Sequence, residues 1–238
     1  MLLVWRCIYL NKNDYIALKS FLLKCNYNEE KLNYIYKQFG KKNVLCILRQ
    51  IYASLGMLND DENEYLQVYN FLSKNFDLGC NILEVGCGSF PALASYIDKH
   101  QRKIGNGTIT VMDPELSVKK FGNIKLIKDS FMFGDDISKY DLIISQSPCL
   151  KIDEVSAAAI EKEKNFFVTL CNCILERYPN LVDYYYDDDN FDPIFEQLLS
   201  EMHTYNNYLE NKNLQLKSGS LFYNDGEIKY FTGKKLIK

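Results

Sequence analysis

Asn81-Ile-Leu-Glu-Val-Gly-Cys-Gly-Ser-Phe-Pro91 is the stretch on which the reading of this chain turns. Ile82 to Val85 is a short apolar run carrying one acid, Glu84, and reads as a buried strand. Gly86 and Gly88 let the chain turn tightly and bring bare backbone N–H groups against a ligand. From Ala92 to Ile97 the sequence is again apolar and starts a helix, with Pro91 suited to its first position. Strand, glycine turn and helix in that order form the nucleotide-binding corner of a doubly wound α/β sheet. A glycine turn alone is more often just a turn, so the weight falls on what surrounds it.

Downstream the pattern alternates. Gly107–Met112 reads as a second strand ending at Asp113-Pro114, Ile124–Ile127 as a third ending at Asp129, and Asp141–Ser145 as a fourth. Val155–Glu163 reads as a helix, Phe166–Cys171 as a fifth strand and Asp192 to Leu209 as a further helix. Leu214–Tyr223 and Glu227–Leu236 flank Asn224-Asp225-Gly226, a strong hairpin signal. Alternating strands and helices imply a mostly parallel sheet, and the closing hairpin gives it an antiparallel edge strand. Upstream, apolar residues recur at helical spacing in Leu32, Ile35 and Phe39, then in Val44, Ile47, Leu48 and Ile51. Asn28 before Glu29-Glu30 and Asn59 before Asp60-Asp61-Glu62 read as helix starts, and Gly40 and Gly56 as stops. The expected organisation is a helical N-terminal cap over residues 1–76 and an α/β domain over 77–238.

Composition narrows the function. The 238 residues are 47% hydrophobic, enough for a full core. Against 31 acidic residues stand 28 basic ones, for a net charge of -3 without a basic stripe, which argues against a nucleic-acid partner. The N-terminal Met1–Leu10 lacks the basic start and cleavage site of a signal peptide, and no other segment has the length of a membrane span, so a soluble cytoplasmic protein is expected. Eight cysteines in a chain of this length, several inside apolar runs (Cys7, Cys25, Cys46, Cys171), read as reduced thiols.

Over about residues 77–238 this layout resembles the class I S-adenosylmethionine-dependent methyltransferases. Glu84-Val-Gly-Cys-Gly88 resembles their acidic-x-Gly-x-Gly motif, in which the glycine turn holds the methionine part of the cofactor and the acid orients it through its amino group or water. Asp113 falls where the family places a carboxylate on the ribose hydroxyls, and Asp129 where a residue meets the adenine amine. Tyr140-Asp-Leu-Ile-Ile-Ser145 resembles the strand leading to the substrate side. The resemblance therefore implies Glu84, Gly86, Gly88, Asp113, Asp129 and Ser145 as cofactor-side residues, S-adenosylmethionine as cofactor and a small-molecule acceptor, with no membrane and no nucleic acid as partner. Other readings of the same residues are a plain turn at the glycines, an Asp-Pro turn at Asp113 and a local cap at Asp129.

The sequence departs from that pattern in two places. Phe90 stands where the motif has its third glycine, so it either enters a pocket or pushes the helix away. The resulting Gly-x-Gly-x-x-Pro, behind a helical cap, is also similar to nicotianamine-synthase-like enzymes, which transfer the aminocarboxypropyl group of the same cofactor. After the fourth strand, Gln146-Ser147-Pro148-Cys149 replaces the Asn/Asp-Pro-Pro-aromatic of many amino-methylating relatives. Gln146 and Cys149 are the candidates for the substrate side, Gln146 through its amide. A degenerate domain that binds a nucleotide or partner protein without catalysis is the third alternative.

The predicted order places Cys87, Cys149, Cys171 and Cys173 near one rim. They read as a soft-metal or thiol site, or as small apolar residues; without Cys-x-x-Cys spacing no metal is assigned. His100 and His203, the two histidines, fall away from strand ends and read as surface or structural residues. The acidic, tyrosine-rich stretch 183–192 reads as a solvated loop or a lid. Trp5 and the cap helices are candidates for a homodimer interface.

Overall fold

The computed structural model describes residues 16, 18–20, 22–23, 27–39, 41–104, 107–147, 151–171, 178–181, 194, 196–197, 200, 213–223 and 226–236. Before the sheet, the described residues 16, 18–20 and 22–23 are helical, and the helices with described bounds are α1 (Glu29–Phe39), α2 (Lys41–Leu55) and α3 (Glu64–Asn75). Then follow β1 (Ile82–Val85), α4 (Ala92–Ile104), β2 (Ile109–Met112), β3 (Lys125–Ile127), β4 (Leu142–Ser145), α5 (Ile152–Glu161), β5 (Asn165–Thr169), β6 (Leu214–Tyr223) and β7 (Gly226–Lys235). The seven strands form one sheet in the order β3-β2-β1-β4-β5-β7-β6. β1 pairs in parallel with β2 and β4, β2 with β3, and β4 with β5, while β7 is antiparallel to both β5 and β6. The antiparallel strand therefore lies inside the sheet, and β6 takes the edge.

Alternation along the strands sorts the core into two layers. Ile82, Ile109, Val111, Leu142, Ile144 and Phe167 join one buried cluster with Ile51 of α2, Val68 and Leu72 of α3, and Leu93 and Ile97 of α4. Leu83, Val85, Ile143, Phe166, Val168 and Phe231 face the other way, toward Val155 and Ala159 of α5. The cap helices are thus continuous with one face of the sheet. Among the described residues no helix is long and apolar enough to cross a membrane.

Helix starts follow local hydrogen bonding, with one correction. Asn28 begins α1, its side chain accepting from the Lys31 N–H at 2.8 Å. The next start lies at Asn63, where the Asn59 reading put it four residues earlier. Residues Asp60–Glu62 make only a short 3-10 turn, and Asn63 caps α3 by accepting from the Leu66 N–H. The reason is tertiary: the buried Asn63 side chain also donates to the Tyr96 hydroxyl at 2.6 Å, which in turn donates to the Ala53 carbonyl at 3.1 Å. Phe90 is fully buried and packs on Tyr27, ring centroids 5.5 Å apart, so it serves the contact with the cap.

Candidate functional site

The carboxyl ends of β1, β2 and β4 meet in a cavity of about 570 Å³, where sites in open α/β sheets form. Its floor is the glycine corner. Gly86 and Gly88 have φ of 76° and 75°, the left-handed region that favours glycine. Their N–H groups are committed to protein, to the Met112 carbonyl at 3.0 Å and to Asp113 Oδ2 at 2.8 Å. Contrary to the reading of bare donors, these two residues contribute tight turns and space.

Glu84 lies on this floor with 2% of its surface exposed. Burial pushes its carboxyl up to about 8, opposed by a hydrogen bond from the Ala94 backbone and reinforced by the nearby charge of Asp113. Its Oε2 is buried without a hydrogen-bond partner. A buried carboxyl oxygen left so is costly, and once the group ionises it suits a cation or a strong donor.

Asp113 takes two backbone hydrogen bonds, Oδ2 from Gly88 and Oδ1 from the Glu115 N–H at 2.7 Å. The local Asp-Pro turn is therefore real, and the same carboxylate ties the ends of β1 and β2 together. A carboxylate has about four lone-pair sites, so two remain for a ligand. Burial raises its pKa against these hydrogen bonds. Asp129 is exposed and accepts from its neighbour, the Ser130 N–H at 2.8 Å; Ser130 and Phe131 line the cavity in its stead. Ser145 is fully buried and its hydroxyl donates to the Val85 carbonyl at 2.7 Å, holding β4 to the end of β1.

Gln146 lines the cavity, and its Oε1 is buried without a partner. Ser147 beside it is left-handed at φ 52°, unusual for a residue with a side chain, and its N–H donates to Thr169 Oγ1 at 2.7 Å. Cys87 is buried, its pKa raised well above the usual thiol value by burial and by Glu84 and Asp113, so it is a neutral thiol. Because β5 ends at Thr169, Cys171 follows the strand instead of lying in it. Among the described residues no three or more His, Cys, Asp or Glu side chains are grouped to hold a metal ion. His100 meets the Tyr69 hydroxyl at 3.0 Å, away from the cavity. Cys149, Cys173, His203, Trp5 and the 183–192 stretch lie outside the described residues, as does most of the 192–209 helix.

Several lining residues carry no motif. Gln50 comes from α2, and Glu64 and Tyr65 from the first turn of α3. Glu64 is ion-paired with Arg49 at 3.2 Å, and Lys151 with Glu154 at 2.6 Å. Their sequence signal is faint: a polar Gln50 beside the apolar run Ile51-Tyr52-Ala53 is the nearest to one.

Solved structures similar to this chain include a methyltransferase from Pyrococcus furiosus, at 14% identity and TM-score 0.46 over 72% of this chain and 83% of that one. Others are a SAM-dependent methyltransferase from Aquifex aeolicus (13%, TM-score 0.40, 73% and 94%) and an O-methyltransferase from Bacillus cereus in complex with SAH (9%, TM-score 0.45, 86% and 96%). No family model matches the sequence, and no curated protein does. The mostly parallel sheet with a C-terminal antiparallel hairpin agrees with the expected fold class, with β7 inside the sheet and β6 at its edge. The strand order makes this a Rossmann-like α/β fold.

Proposed function

We propose that this chain is an S-adenosylmethionine-dependent methyltransferase acting on a small-molecule acceptor. The observation that carries the reading is the buried, unpartnered Oε2 of Glu84 at the left-handed glycine corner. It suits the α-ammonium of the cofactor, and the cavity volume is within the range of small-molecule sites. Asp113, with lone pairs to spare and its position fixed by two backbone donors, is assigned to the ribose hydroxyls. Gln146, its amide oxygen buried and unpaired, is assigned to a donor group of the acceptor.

When bound, the cofactor supplies a methyl group on a sulfonium, already a strong leaving group. What remains for the protein is alignment and exclusion of water. That fits a cavity whose lining, among the described residues, holds no histidine, and in which the Cys87 thiol is neutral. The test is product analysis after incubation with S-adenosylmethionine and panels of small amines, alcohols and thiols. S-adenosylhomocysteine accumulating with one acceptor class supports methyl transfer. Methylthioadenosine in its place overturns it in favour of aminocarboxypropyl transfer.

A further inference from the structure

The cap contributes a third buried, unpartnered acceptor to the residues of the same cavity, after Glu84 Oε2 and Gln146 Oε1. Gln50 on α2 is only 8% exposed, and its Nε2 donates to the Cys87 carbonyl at 3.2 Å. A carbonyl cannot donate, so this contact fixes which end of the amide faces the loop. The other end, Oε1, is buried with no partner, and the residue lines the cavity together with Glu84. Gln50 and the loop are fitted to each other. A Cβ on Gly88 would lie 2.5 Å from Gln50 Nε2, so a side chain there would displace the Gln50 amide.

We infer that Gln50 is a cofactor-binding residue contributed by the cap, its Oε1 accepting from the same α-ammonium that faces Glu84. The inference rests on the S-adenosylmethionine reading. Its physical ground is donor count. An ammonium offers three N–H donors around one positive charge, enough to satisfy a carboxylate oxygen and an amide oxygen together. A ribose hydroxyl or a neutral amine offers the buried carboxylate no compensating charge. The cap thereby completes the site.

Equilibrium dialysis with S-adenosylhomocysteine and with methylthioadenosine, which lacks the amino-acid end, tests this on the full chain. Two variants, Gln50→Leu and Gln50→Met, both fill the space without an acceptor, so that one remains if the other fails to fold. The expected result is a loss of about 10-fold or more for S-adenosylhomocysteine, as for one hydrogen bond to a charged group, with methylthioadenosine shifted less than about two-fold. Equal weakening of both ligands makes Gln50 a prop for the glycine loop and overturns the inference, as does no change in either. If the unaltered protein binds neither ligand, the cofactor reading itself falls and the inference with it.

Discussion

Glu84 concentrates the chemistry of the site in one titration. Burial lifts its carboxyl from the ordinary 4.5 to about 8, so in the free protein it is protonated at neutral pH. A cation bound against it favours the carboxylate and expels the proton. Calorimetry of S-adenosylhomocysteine binding at pH 7, in buffers of different ionisation enthalpy, is therefore expected to report release of about one proton per site. Affinity should rise with pH and level off above about 8. Stability runs the other way. The folded state holds a proton that the unfolded chain has lost between 4.5 and about 8, so this group's contribution to the stability of the free protein declines as pH rises through that window. Glu84→Gln should abolish the proton release and flatten both dependences; a variant that still releases the proton would assign it to another group.

At the scale of elements, the join between cap and glycine corner is the part most exposed to disruption. Phe90 is fully buried against Tyr27, whose hydroxyl lies 2.9 Å from Ser117 Oγ. Phe90→Ala should cost about 3–5 kcal/mol in urea unfolding, the usual penalty for emptying a buried aromatic site. Phe222→Ala, at a position 72% exposed on β6, should stay within about 0.5 kcal/mol. These elements also separate what the sequence discloses from what it does not. β1, the hairpin and the start of α1 are written locally, in an apolar run, in the spacing around Asn224-Asp225-Gly226 and in an Asn cap. The start of α3 is not. Asn59 and Asn63 look equivalent in sequence, and the choice is made by Tyr96, a residue 33 positions on from Asn63. Gln50 is hidden for the same reason: its role comes from a helix laid over a loop 37 residues away. Asp113 is legible as a candidate by its position after β2, but its hydrogen bond from Gly88 depends on β1 and β2 being adjacent.

In the molecule as a whole, a seven-stranded sheet carries helices of the cap on one face and α5 on the other, and the cavity opens where α2 and α3 reach the ends of β1 and β2. The sheet supplies the glycine corner and the two carboxylates, and the cap supplies Gln50 and Tyr65. A site shared in this way couples ligand to fold, since what binds the native cavity and not the unfolded chain stabilises both parts together. The claim that unites these scales is that the cavity holds S-adenosylmethionine. Calorimetric titration of the unaltered protein with S-adenosylmethionine, S-adenosylhomocysteine and NAD tests it most directly. Micromolar binding of the two sulfur ligands, with NAD silent, is the predicted result; binding of NAD alone, or of none of the three, would contradict the account.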